Sequence, residues 1–216
     1  MSDDETQTVR LRRIEITTAI LLSVAGLMSA WASYQAALWG GIQANHYAAA
    51  NGKVTEASRL SIIDGQKVGT DMLLFTAWLE AAADNDISRM TFFERRFSPE
   101  LHAEFDPWRA ARPADLRQAR PDPSAPQALP HPAYKEGLMA RRLQKAAIAE
   151  FKEGDTANSV GDRFVAATVV LSTVLFLGGI SPLLSHTRVR IAMLVLAGLL
   201  GIGASVFIFS LPAAAL

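Results

Sequence analysis

The sequence predicts an all-α membrane protein with three transmembrane helices and an α-helical extramembrane domain between the first and second of them. Two observations support this fold class. Apolar runs cover residues 14–39, 164–184 and 191–211, and about twenty apolar residues in a helix cross the hydrocarbon core of a bilayer. Residues 40–163 are less apolar and helix-prone, so we expect them to lie outside the bilayer.

The composition narrows the functional classes. The chain of 216 residues has 21 basic and 21 acidic side chains and no cysteine. A formal net charge of zero gives no indication of a nucleic acid partner. The absence of cysteine excludes disulfides, thiolate catalysis and cysteine-bound metals, and it is compatible with either side of a bacterial membrane.

Residues 1–13 form a polar tail whose arginines precede the first apolar run. A basic segment before a first hydrophobic helix tends to stay in the cytoplasm. A cleaved signal peptide is the competing interpretation, because Ala30-Trp31-Ala32 resembles a small-x-small cleavage site. The apolar run is long for a signal peptide, so we expect a retained transmembrane anchor.

The first span ends in aromatic residues, which collect where a helix meets lipid headgroups. The expected membrane-interface anchors are Trp31, Tyr34 and Trp39. No proline follows before residue 65, so the helix can continue out of the bilayer. Gly40, Gly41 and Gly52 are possible bends, since a glycine costs about 1 kcal/mol relative to alanine in a helix.

An amphipathic helix is predicted over residues 66–83. Met72, Phe75 and Leu79 share one face, with Trp78 beside them. This face is expected to pack into a small core outside the membrane.

Two short helices are predicted next. Residues 84–86 offer an N-cap for a helix over residues 87–97, and Ser98 is the expected N-cap of a helix over residues 99–111 that begins with proline. The side chains expected to supply the rest of the core are Phe92, Phe93, Phe97, Leu101, Phe105 and Trp108.

Residues 113–132 hold six of the ten prolines, which predicts an extended surface loop because proline removes amide donors. We favour a connector over a peptide ligand, since an isolated proline-rich stretch is only compositional evidence. Helical sequence returns over residues 134–161, and this segment is long enough to pack against residues 41–83.

The C-terminal part is a predicted helical hairpin. The spans over residues 164–184 and 191–211 are joined by a basic loop, residues 185–190, that is too short to be anything but a turn between antiparallel neighbours. Residues 212–216 form a short C-terminal tail that begins with proline.

The charge distribution predicts the orientation in a bacterial inner membrane. Basic residues near span ends on the expected cytoplasmic side are Arg10, Arg12, Arg13, Arg188 and Arg190. The other side has Lys53, Lys152 and Arg163 within about fifteen residues of a span end. We therefore expect a cytoplasmic N-terminus and an extracytoplasmic segment over residues 40–163. The inverted arrangement would keep the helical domain in the cytoplasm.

No motif for catalysis, metal binding or cofactor binding is found. His102 lies near Glu100 and Glu104, but residues two apart on a helix point in different directions. Asp84-x-Asp86 resembles the start of a calcium loop that lacks the glycine and the final acidic residue. Phosphate loops, nucleophile elbows and dinucleotide fingerprints are missing as well. We therefore expect neither an enzyme nor a cofactor.

Small residues recur at every fourth position in two of the spans. In the first span they are Ala25, Ser29, Ser33, Ala37 and Gly41, and in the third they are Ala197, Gly201 and Ser205. Such rows let helix backbones approach closely in lipid. Two interpretations stay open, namely packing of the three spans within one chain and contact between subunits.

Aromatic and polar residues carry a resemblance. They are Trp31-x-Ser33-Tyr34-Gln35-x-x-x-Trp39, then Gln43, Ala44 and Tyr47, and later Phe75-Thr76-x-Trp78-Leu79. In these elements the chain resembles a group of uncharacterised bacterial three-span membrane proteins. The resemblance implies an inner-membrane location, an N-terminal span, a long helical middle interrupted by prolines and a C-terminal pair of spans. It brings no established activity, cofactor or catalytic residue.

The main functional hypothesis is an integral membrane structural or interaction protein, either a homo-oligomer or an accessory subunit of a larger inner-membrane complex. Its partners would be the lipid bilayer and itself or another membrane protein. The alternative is an oligomeric channel or transport accessory protein, with a pore lined by Ser29 and Ser33 of the first span. Almost no ionisable residue lies within the spans, which counts against a transport pathway.

Overall fold

The computed structural model describes residues 3–110 and 134–214, with side chains described from residue 12 onward. These residues are helical almost throughout and contain no strand, which confirms the all-helical class for this part of the chain. The elements are α1 (Asp3–Ala83), α2 (Ile87–Glu94), α3 (Pro99–Ala110), α4 (Lys135–Ile180), a short 3₁₀ turn (Ser181–Leu183) and α5 (Thr187–Ser210). The predicted proline-rich loop, residues 113–132, lies outside the described residues.

Three helices, namely α1, α4 and α5, are long and apolar enough to cross a membrane. Their most apolar windows have mean hydropathies of 1.6, 2.1 and 2.5. Only 11%, 33% and 22% of these windows is buried within the chain, so most of their apolar surface faces outward, as lipid-facing helices require.

α1 is one helix of 81 residues without a break at Gly40, Gly41 or Gly52. The first span therefore continues as one helix past these glycines, as the absence of proline allows. The cost of each glycine, about 1 kcal/mol, is spread over a helix that is rich in alanine on both sides. The helix ends at Ala83 as expected, and Asn85 then adopts a positive φ of 55°.

α4 joins two predicted elements, the helix over residues 134–161 and the second span, into one helix of 46 residues. The α-helix ends at Ile180, just before Pro182, whose ring leaves no amide hydrogen to donate. α5 begins at Thr187, so Arg188 and Arg190 belong to its first turn rather than to the connecting loop.

The chain forms two compact units, and each is described separately. The first contains residues 1–49 and 150–216, and the second contains residues 50–149. In the first unit, α4 runs antiparallel to α1, because a Cβ added at Gly161 would lie 3.5 Å from Trp39 and one at Gly178 would lie 2.7 Å from Leu22.

The core of the first unit contains mostly small and aliphatic residues. α5 runs parallel to α1, since Gly201 lies beside Leu21 and Ala214 is bonded to Gln35. The buried core residues are Ala25, Ala32, Phe164, Ala167, Leu171, Val174, Ala197, Ala204 and Ile208. Glycine and alanine at these contacts allow the helix backbones to approach closely.

The second unit has an aromatic core in which α2 and α3 pack on the end of α1. Its buried residues are Phe75, Trp78, Ala82, Phe97, Leu101 and Phe105. Both predicted caps are confirmed, since Asp86 Oδ1 accepts the Arg89 amide at 3.0 Å and Ser98 Oγ accepts the Leu101 amide at 3.0 Å.

Two details of the predicted core are corrected. On the predicted face of α1, Phe75 and Trp78 are buried and Leu79 packs against their cluster, whereas Met72 is only half-buried. Phe92 is 50% exposed and lies outside the core, and α2 ends at Glu94 rather than at the predicted Phe97. The Arg96 guanidinium lies 3.6 Å from the centroid of that ring.

Candidate functional site

The two rows of small residues, in the first and third spans, divide between the inside and the outside of the first unit. Ala25, Ala197 and Gly201 are buried in the core, and Ser29 and Ser205 are half-buried. The exposed members of the row are Ser33, Ala37 and Gly41. The assignment of these residues to contacts between subunits stays a prediction.

Helix geometry explains this division. Each step of four residues turns about 40° beyond one full turn, so the row from Ala25 to Gly41 winds through roughly 160°. The buried residues of α1 instead recur at a seven-residue spacing, with Ala25 and Ala32 buried and Trp39 half-buried. This is the spacing of helices that pack side by side along a seam.

The three aromatic anchors occupy two kinds of position. Trp31 and Tyr34 are 45% and 44% exposed, with ring centroids 6.0 Å apart, as expected of side chains in a headgroup region. Trp39 is half-buried, and its Nε1 donates a hydrogen bond to the Pro212 carbonyl at 3.1 Å. Trp39 therefore binds the C-terminal tail, whatever its position relative to the lipid.

Gln35 fixes the same tail and was missed by the sequence reasoning as a structural residue. It is 1% exposed within an apolar helix. Its Oε1 accepts the Ala214 amide at 2.8 Å, and its Nε2 donates to the Ala214 carbonyl at 3.4 Å. A buried amide needs such partners, so the lone glutamine in an apolar run was the available signal.

We expect Gln35→Leu to release the C-terminal tail from α1, because leucine can replace neither hydrogen bond to Ala214. The chain contains no native cysteine, so a thiol introduced by Ala214→Cys is the only one to be labelled. Its maleimide labelling in membranes should be several-fold faster with Gln35→Leu than with native Gln35. Equal labelling rates would show that the bonds to Gln35 do not hold the tail.

The predicted topology-setting arginines are not alike. Arg12, Arg13 and Arg188 are exposed, and the side chain of Arg10 lies outside the described part of the chain. Arg190 is only 7% exposed, and its Nε and Nη2 have no hydrogen-bond partner among the described residues. Arg190 therefore differs from the solvated cation that the sequence suggested.

A buried hydrogen-bond cluster around Asp71 is the most developed polar site of the second unit. Asp71 is 4% exposed. Its Oδ1 accepts the Ser98 amide at 3.3 Å, and its Oδ2 accepts the hydroxyl groups of both Ser98 and Tyr134. One carboxylate thus ties the N-terminus of α3 and the residue before α4 to α1.

An ion pair supports the same junction. Lys67 Nζ donates to Glu136 Oε1 at 2.8 Å, and it lies 5.9 Å from the centroid of the Tyr134 ring. The hydrogen bond raises the pKa of Lys67 and lowers the pKa of Glu136. A cavity of about 570 Å³ adjoins the cluster and is lined by charged side chains of both signs, including Lys67, Arg96 and Glu100.

The Asp71 cluster holds the start of α3 and the residue before α4 against α1. The Asp71 carboxylate already accepts three hydrogen bonds, and hydrogen bonds to a charged group are among the stronger ones, at about 1.5–3 kcal/mol each. Sequence reasoning missed Asp71 because its partners Ser98 and Tyr134 are distant in the chain. The available signal was its position on the same face as Phe75 and Trp78.

The hydrogen bond between Tyr134 and Asp71 predicts that the fold loses stability at alkaline pH. Burial and the hydrogen bond to Asp71 raise the pKa of Tyr134 to about 12 from 10.0. As pH rises, the unfolded chain loses this proton first, so the stability from Tyr134 is complete below about pH 10 and is lost towards pH 12. Tyrosinate absorbance should show one of the three tyrosines titrating near pH 12, and Tyr134→Phe should remove that component. Its survival in Tyr134→Phe would contradict the assignment.

The possible metal ligands of the chain do not form a cluster in the described residues. Among the described residues, no three histidine, cysteine or acidic side chains come close enough to hold a metal ion. His102 Nδ1 lies 3.9 Å from Asp106 Oδ1, an i,i+4 pair on the surface of α3. His46 Nδ1 is bonded to Glu150 Oε2 at 2.7 Å in the first unit.

Comparison with known proteins adds no relative to this description. No protein-family model matches the chain, and neither the curated proteins nor the solved structures contain a significant match.

Proposed function

We propose that this chain is an integral membrane structural or interaction protein that assembles with copies of itself or with a larger complex of the bacterial inner membrane. The resemblance in the aromatic and polar elements of the first span agrees with that location. The proposed orientation places the N-terminus and the loop near Ser185 in the cytoplasm and the second unit outside it. It follows from the larger number of arginines near the N-terminus and near that loop than near the other span ends.

The observation that carries the proposal is the small apolar area that α1 and α4 bury against each other in the second unit. Over residues 50–66 and 137–149, all of which are described, the buried residues are Ala50, Ala57, Gly137, Ala140 and Ala147. Alanine buries little apolar area, and apolar area removed from water is worth only about 25 cal/mol per Å². A helix pair with so small a seam gains from a further helical partner.

Exposed apolar side chains in the same unit also support a protein partner. Ile62 is 63% exposed and Ile148 is 64% exposed, although both lie outside the predicted spans. Leu73 and Ile87 are 74% and 69% exposed. Apolar surface outside the lipid is typical of proteins that bind other proteins there.

Native mass spectrometry in mild detergent, together with cross-linking in intact membranes, tests the proposal. A discrete homo-oligomer or a complex of fixed stoichiometry is expected. A strictly monomeric chain with no co-purifying partner, and with no cross-linked product in membranes, would contradict it.

A further inference from the structure

We propose that a second copy of this chain docks against a groove between α1 and α4 in the second unit, and that the two copies are related by a twofold axis. The inference rests on the proposed function and names the surface and the partner for it. The groove has a volume of about 630 Å³, with a floor of Ala57, Gly137 and Ala140.

The floor and rim of the groove suit a helical partner. Small side chains on the floor let another helix approach closely, since the distance between packed helices depends on the side chains at the contact. At the rim, Val54 is 40% exposed and Ile62 is 63% exposed, so apolar surface is available on the α1 side. Ser58 and Ser61 add short polar side chains that do not obstruct this approach.

Asp64 brings to the groove a carboxylate that accepts no hydrogen bond from the described residues. Its carboxylate lies over Gly137, where an added Cβ would be 2.6 Å from both carboxylate oxygens. In the described part of the chain this carboxylate forms no ion pair within 4.0 Å, although Lys67 is close enough to interact with its charge. The nearby Lys67 donates its hydrogen bond to Glu136 instead. A half-buried carboxylate without a donor is costly, and a cation from a partner would offset that cost.

Arg141 brings a positive charge to the same level of the groove. Its side chain is exposed, and its Nε makes only a long contact of 3.4 Å to the Gly137 carbonyl. A guanidinium has five N–H donors in a fixed fork that suits a carboxylate. The groove therefore carries the Asp64 carboxylate, which accepts no hydrogen bond from any described residue, and the Arg141 guanidinium, whose N–H donors are largely unused. Both groups are adjacent to Gly137.

The membrane makes this pair of charges self-complementary. Two copies inserted in one bilayer with the same orientation are related by an axis along the bilayer normal, which keeps every atom at its own depth. Asp64 and the Arg141 guanidinium both adjoin Gly137 and so have nearly the same depth. A twofold axis therefore places Asp64 of each copy opposite Arg141 of the other, and the contact is made twice in an isologous interface.

Charge reversal tests this pairing, using Asp64→Lys and Arg141→Glu. Each variant alone places like charges at both contacts of its homodimer, and like charges facing each other weaken association by on the order of tenfold or more. A mixture of the two variants restores opposite charges at both contacts of the heterodimer. Differently labelled copies in one vesicle should therefore give resonance energy transfer for the mixture and for the native chain, but little for either variant alone.

Arg142→Glu is the matched control, because Arg142 is the exposed neighbour of Arg141 and does not line the groove. It should associate as the native chain does, and circular dichroism should show all variants to be equally helical. A mixture that associates no better than the single variants would overturn the proposal. If the native chain forms oligomers and neither reversal weakens them, only this surface is wrong. A native chain that never forms oligomers would instead contradict self-assembly itself.

Discussion

Replacing Phe105 with alanine should destabilise the second unit by about 3–5 kcal/mol, the usual cost of removing a buried phenylalanine. Phe105 is fully buried (0% exposed) in the aromatic core. Its ring centroid lies 4.9 Å from that of Trp78 and 5.1 Å from that of Phe97, both with edge-to-face geometry. Alanine would remove these contacts and leave a cavity that the surrounding rings, held by α1, by α3 and by the turn before α3, cannot fill.

The measurement is amide hydrogen exchange of α3 in mild detergent, which reports the free energy of opening this unit. The matched control is Phe92→Ala, because Phe92 is 50% exposed and contacts Arg96 rather than the core. The exchange rates of α3 should rise strongly for Phe105→Ala and little for Phe92→Ala. Equal effects of the two substitutions would contradict the assignment of Phe105 to the centre of the core.

Replacing Asp71 with alanine should cost about 3 kcal/mol, since it leaves buried donors without an acceptor. The Ser98 amide and the hydroxyl groups of Ser98 and Tyr134 would all lose their bonds to the carboxylate. Because Ser98 is also the N-cap of α3, we expect this helix to fray at its start. Limited proteolysis near residue 98 should become faster.

Asp84→Ala is the control for this prediction. The Asp84 side chain is 69% exposed and forms only a 3.6 Å ion pair with Arg89, and exposed pairs of this kind contribute little to stability. Proteolysis and hydrogen exchange of α3 should be unchanged in Asp84→Ala. If Asp71→Ala is as mild as Asp84→Ala, then the Asp71 cluster does not hold α3 to α1.

Local signals in the sequence predicted part of this structure. The three apolar runs, the end of α1 at Ala83 and the caps at Asp86 and Ser98 depend on residues close together in the chain. The length of an apolar run and the chemistry of a cap can be read in a short window. For the same reason, the aromatic residues of α1 and α3 indicated a core, in which Phe75, Trp78 and Leu79 of the predicted face do pack.

Contacts between residues far apart in the chain could not be predicted from the sequence. Gln35 binds Ala214, and Asp71 binds Tyr134, across separations of 179 and 63 residues. Neither pairing follows from spacing alone, because it depends on how helices pack. The small residues from Ala25 to Gly41 do not all enter the core of this unit, because a four-residue repeat winds about the helix while a seven-residue repeat follows the seam.

The central proposal is that α1, α4 and α5 cross a membrane and that residues 50–149 lie on the opposite side of it from the turn between α4 and α5. Single cysteines test it directly, at exposed Thr91 of α2 and at exposed Ser185 in that turn, because the native chain has no thiol. In intact bacterial cells, a membrane-impermeant maleimide should label Thr91→Cys, and it should label Ser185→Cys only after permeabilisation. Labelling of both cysteines from the same side would contradict the crossing by α4, and the reverse pattern would contradict the proposed orientation.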